Sequence, residues 1–214
     1  MRGGATHILV GGSVRGIVLA FVAALAFGAA AGLASAQDRS LTLSRPLTFA
    51  DAEGRVVRST DFAGKWLLVY FGYTHCADLC PTGLSVLVNT LDQIGRASEH
   101  IQPLFITVDP ERDKGPLLRS FTEAFDKRLI GLGGTIEQIR EAADALGVSF
   151  QKVVQGDASY VVDHSSSYVL VDPTRTRAEV LRVAEPHLLA AKLIETLTKA
   201  GAPLDNVNNV GAYR

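Results

Sequence analysis

Cysteine is scarce in this chain: two among 214 residues, Cys76 and Cys80. A structural zinc site, which normally takes four ligands, cannot be assembled here from thiolates alone. Basic charge is also short. Lys and Arg number 21 against 22 Asp and Glu, so the composition gives no support to nucleic-acid binding, which ordinarily needs a basic surface. Internal repeats are absent, and the length suits one core in one domain. Between Gly147 and Asp172 there is no proline, an absence that bears on the cysteine chemistry below.

What is present begins with an acid-free apolar run, Gly16 to Leu33, preceded by Arg2 and Arg15 and followed by Ala34-Ser35-Ala36. Residues 1–36 thus read as a secretory signal with a small-residue cleavage site. The run also approaches the ~18 apolar residues that begin to span a bilayer, so an uncleaved membrane anchor is the alternative. Both readings export the body of the protein, to the periplasm, either soluble or held at the inner membrane by this segment alone. No cysteine lies near Ala36 to carry a lipid. Without the two leader arginines the remainder has 19 basic and 22 acidic residues, net -3.

Residues 37–46 are polar with no firm period and read as a linker, with a folded domain over 47–201 and a loose Asn/Gly-rich tail over 202–214. Leu47-Thr48-Phe49 and Arg55-Val56-Val57 form a hairpin pattern around Gly54. The continuous apolar run Lys65 to Phe71 predicts a buried central strand of a parallel sheet. Leu84, Leu87, Val88, Leu91 and Ile94 then recur at helical spacing, and Pro81 suits a first helical turn. Ile101 to Val108 is a second strand. A helix with Leu117, Leu118, Phe121, Ala124 and Phe125 on one face follows, then a brief strand at Leu129 to Leu132. Thr135 and Gln138 have capping-box spacing at the next helix start, and Gly147 suits its end. Strand and helix alternating in this way imply parallel strands with crossover helices. The later segments Val148–Val154, Tyr160–Val162, Tyr168–Val171 and Ala178–Val183 read as antiparallel, and a final helix runs from Pro186 to Gly201. The sum is an α/β fold of thioredoxin-like arrangement, a central mixed sheet flanked by helices.

Cys76 and Cys80 sit where the central strand gives way to a helix. A helix start favours the thiolate, which predicts an unusually available Cys80 sulfur. Four explanations fit the pair. A structural disulfide would close a loop of about five residues and contribute only roughly 2 kcal/mol. Thiol–disulfide exchange suits the fold, but the spacing is C-x-x-x-C, and the proline that thioredoxin-like oxidoreductases set opposite their cysteines is missing from Gly147–Asp172. A metal is the third: two soft thiolates and a histidine select copper(I) over hard cations. The fourth, a peroxidatic cysteine, usually has threonine and proline before it, and Thr74-His75 precedes Cys76 without the proline.

Among the histidines, His100 and His187 read as surface residues, and His75 is too near Cys76 to share an ion without strain. His164 remains, in a polar break between two strands. It is a candidate ligand or a satisfied loop histidine. Asp163 is a candidate to orient its ring, or a turn residue.

Tyr70-Phe71-Gly72-Tyr73-Thr74-His75-Cys76-Ala77-Asp78-Leu79-Cys80-Pro81, Val108-Asp109-Pro110-Glu111-Arg112-Asp113 and Val162-Asp163-His164-Ser165 closely resemble three signature stretches of the Sco/SenC copper chaperones. Gly131 to Thr135 with its following helix adds to the likeness, which covers roughly Leu47 to Ala200. The resemblance implies an exported thioredoxin-like protein that holds copper(I) or copper(II) with Cys76, Cys80 and His164 during assembly of the dinuclear copper centre of cytochrome c oxidase. It implies as partners the copper-bearing oxidase subunit, a copper donor and a thiol reductant. In the oxidised state Cys76 and Cys80 would be a redox-active disulfide. In the family Asp78 lies in the metal loop and assists copper(II), while Ala77 stands where proline is common. The role is an assembly factor without turnover; the alternatives are a thiol–disulfide reductase acting on an oxidase subunit and a redox sensor. Physically, Asp109 to Asp113 reads as a turn whose Asp113 can cap the next helix.

Overall fold

The computed structural model describes residues 39–156 and 159–202; the predicted leader and nearly all of the predicted tail lie outside them. The fold is built around β4 (Trp66–Gly72), whose residues after Trp66 are all buried. β4 runs parallel to β5 (Ile101–Thr107) and antiparallel to β9 (Tyr168–Val171). With β1 (Arg39–Thr42), β10 (Arg177–Leu181) and β6 (Ile130–Leu132) these form a six-stranded mixed sheet in the order β1-β10-β9-β4-β5-β6. Helices α1 (Leu79–Gln93), α2 (Pro116–Glu123), α3 (Ile136–Ala145) and α4 (Pro186–Lys199) accompany it. The thioredoxin-like, mixed α/β expectation is met.

Local chemistry explains the element boundaries. Thr135 and Gln138 form the expected capping box at α3, and Gly147, at φ +66°, closes that helix in the left-handed conformation glycine tolerates. The hairpin β2 (Thr48–Ala50) and β3 (Val56–Arg58) pairs antiparallel as its turn residues require.

Several expectations are corrected. The predicted linker 37–46 contains β1, paired antiparallel with β10, so the fold begins by Arg39 and not at Leu47. An edge strand needs one backbone partner and little apolar side chain, and Leu41 and Leu43 supply what packing there is. In α2 the buried positions are Leu118 and Thr122, whereas Leu117 and Ala124 face solvent. The helix starts at Pro116 after Gly115, and Asp113 does not cap it. Finally, β7 (Phe150–Gln155) and β8 (Ser159–His164) do not join the main sheet: they pair only with each other. Gln151, Lys152, Val154 and Gln155 are exposed, so β7 has no apolar face to bury on a sheet. β8 also carries His164 as its last residue, where a polar break was expected.

Candidate metal centre

The cysteine loop leaves the carboxyl end of β4, the usual position of sites in open α/β sheets. It is pinned from below. Asp113, buried, accepts hydrogen bonds from the Thr74 N–H (2.8 Å), the Thr74 hydroxyl (2.6 Å) and the Thr107 hydroxyl (2.7 Å). The loop then turns through a Cys76 N–H to Tyr73 carbonyl bond of 3.3 Å and enters α1. Two tyrosines that face each other across β4 and β9 seat that helix: the Tyr70 hydroxyl donates to the Leu79 carbonyl (3.3 Å) and the Tyr168 hydroxyl to the Gly83 carbonyl (2.8 Å).

Cys80 lies in the first turn of α1 and is fully buried; Cys76 is half-buried. Both are free thiols. His164 reaches in from the end of β8, and the two Sγ atoms and one imidazole nitrogen lie within 4.8 Å of one another. Cys80 Sγ is 3.2 Å from His164 Nε2. His164 Nδ1 is 3.0 Å from the Ser165 carbonyl; since a carbonyl only accepts, Nδ1 carries the proton and Nε2 is left to accept from the Cys80 thiol. Burial holds the imidazole below its ordinary pKa, against the opposing pull of the Ser165 carbonyl and the Asp163 charge.

The helix start does not make Cys80 the available sulfur. Burial, with the Cys76 hydrogen bond adding to it, pushes the Cys80 thiol well up. The backbone N–H of Cys80 donates to Cys76 Sγ (3.3 Å), so the helix-start donor serves the more exposed cysteine.

The other sequence candidates fall outside the cluster. Asp78 is the exposed N-cap of α1 and makes no capping hydrogen bond through its side chain. Asp163 is exposed, and the ring nitrogen it was expected to orient is held instead by the Ser165 carbonyl. His75 is exposed and turned toward Thr74 and Asp113. Sequence reasoning missed Tyr73, whose ring meets the His164 ring edge-on at 6.0 Å. It also missed the tie from Asp113 to Thr74, because the two stand 39 residues apart and nothing local marks the pair. Two soft sulfurs and a neutral imidazole fit a soft cation in low coordination, copper(I) above all. Among the described residues this is where three potential ligands converge.

Comparison with known proteins bears on the same region. A family model described as SCO1/SenC matches residues 35–199. The protein SCO2 homolog, mitochondrial, of Bos taurus is 41% identical over 126 residues, covering 58% of this chain and 47% of that protein. An SCO2-like protein of Rickettsia prowazekii is 33% identical over 144 residues, 66% of this chain and 70% of that one. The crystal structure of Arabidopsis thaliana ScoI with copper bound superposes with a TM-score of 0.67 at 31% identity, over 73% of this chain and 99% of that chain. The chain spans about half the length of the first two mitochondrial relatives it matches.

Proposed function

The chain belongs to the SCO1/SenC family, and from that premise we propose that it is an exported copper-binding assembly factor that helps mature the dinuclear copper centre of cytochrome c oxidase. The observation that carries the reading is the convergence of Cys76 Sγ, Cys80 Sγ and one His164 ring nitrogen within 4.8 Å, with Nε2 3.2 Å from Cys80 Sγ. Copper is cargo here. Cys76 and Cys80 would hold it as thiolates and His164 through Nε2, the copper replacing the thiol protons. A recipient subunit of the oxidase, a copper donor and a reductant for the thiols complete the proposed set of partners.

Oxidation provides a release step. Joining Cys76 Sγ to Cys80 Sγ in the copper-bound state removes two electrons from the thiolates; these pass, with two protons from solvent, to a disulfide-bearing acceptor that becomes a dithiol, and the copper(I) leaves because no thiolate remains to hold it. The test is anaerobic titration of the purified protein with copper(I) against a competing chelator, before and after complete disulfide formation. The reduced protein should take up one copper and the oxidised protein essentially none. Full uptake by the oxidised protein contradicts the reading.

The asymmetry of the pair, Cys76 half-buried and Cys80 buried, favours a second reading. A partly exposed attacking thiol backed by a buried resolving thiol suits reduction of a partner's disulfide. His164 separates the two, since copper binding needs its nitrogen and exchange needs it much less.

A further inference from the structure

The turn Asp109-Pro110-Glu111-Arg112-Asp113 follows β5 after Val108 and supplies no copper ligand, yet it touches both halves of the ligand set. On one side Asp113 fixes Thr74, two residues before Cys76, through the bonds given above. On the other side, Asp109 accepts the Tyr160 hydroxyl (2.9 Å) and is ion-paired with Arg112. The Arg112 guanidinium lies 3.8 Å from the Tyr160 ring centre and 5.6 Å from that of Tyr73. It also donates to the Tyr160 carbonyl at 3.3 Å. Tyr160 and His164 belong to the same strand, β8, four residues apart and therefore on one face. Tyr73, in turn, meets the His164 ring.

These contacts matter because few others fix the β7–β8 hairpin, whose Phe150 packs, partly buried, against the core. It shares no ladder with the main sheet, and among its described residues Val162 is the one buried hydrophobic side chain. The His164 ring nitrogen must nevertheless stand within an ångström or less of where two sulfurs require it. A surface ion pair would contribute little to such placement. Asp109, however, is only 3% exposed, so its pair with Arg112 is largely out of water. The Glu111–Lys152 pair at 2.8 Å is its exposed counterpart on the rim.

We propose that this turn is a bracket that sets the distance between the cysteine pair and His164, with Asp109, Arg112 and Tyr160 as positioning residues for copper. The inference rests on the copper reading above. Tyr160→Phe removes one hydroxyl and keeps the ring; Arg112→Lys keeps the charge and loses the planar stack. Each is titrated with copper(I) against a competing chelator, in the otherwise native protein and in the His164→Ala background, with Glu111→Gln as the rim control.

Each bracket variant should weaken binding about tenfold in the native background and leave it unchanged where His164 is already absent, while Glu111→Gln has no effect. Equal losses in both backgrounds would show that the turn supports the fold generally, and would overturn the proposal. So would no loss in either. A native protein weakened by His164→Ala but indifferent to the bracket changes sinks this inference alone, whereas indifference to His164→Ala sinks the underlying ligand assignment as well.

Discussion

Gly72 shows how little room the site has. A Cβ added there would lie 2.9 Å from Cys80 Sγ and 2.8 Å from a ring carbon of Phe105, distances at which something must move. Phe105 is fully buried in the core, so the displacement falls on the sulfur as well as the ring. Gly72→Ala is therefore expected to cost about 1–3 kcal/mol of stability by overpacking, measured by denaturant unfolding, and to weaken copper(I) uptake in the same competition titration. A variant with native stability and native affinity would show that the sulfur is free to shift. At this scale Cys76, Cys80 and His164 were legible as residues, since soft ligands are few and the motifs distinctive. What holds His164 was not. The Ser165 carbonyl does that work in place of Asp163, and backbone carbonyls leave no trace in residue identity.

Elements are placed by contacts between their ends. Arg175, 6% exposed and in the left-handed conformation at φ +61°, leaves the β9–β10 turn and donates to the carbonyls of Ser59 (2.8 Å), Phe62 (2.5 Å) and Lys65 (2.8 Å). It thereby fixes the segment that leads into β4. Replacing it with methionine keeps apolar bulk and strands those carbonyls. The expected loss is about 3 kcal/mol in unfolding free energy, with copper affinity of the folded protein unchanged because the site lies at the other end of β4. A parallel loss of affinity would mean that the strand transmits the disturbance along its length. The core elements, β4, α1, β5 and α3, were readable from apolar runs, helical spacing and the capping box. β1 was not, because its place depends on β10, about 140 residues away in sequence. Nor was the separate β7–β8 ribbon: short alternating segments look alike whether they extend a sheet or leave it.

At the scale of the whole molecule, the fold brings three distant stretches together. The end of β4 carries the cysteines, the turn after β5 braces them, and a hairpin outside the sheet brings in the histidine. The same three stretches carried the family likeness in the sequence. Their spacing could not say that Asp109 to Asp113 stands between the other two, because that depends on which strands pair. A site whose ligands come from two separately held pieces suits cargo that must be both bound and released. The central claim is that His164 is the third copper ligand beside Cys76 and Cys80. Its most direct test is anaerobic copper(I) titration of the reduced protein against a competing chelator, native beside His164→Ala. The account predicts one copper per native chain and binding weaker by at least about tenfold, ~1.4 kcal/mol, in the variant. Indistinguishable binding would contradict it and put the thiol–disulfide reading first.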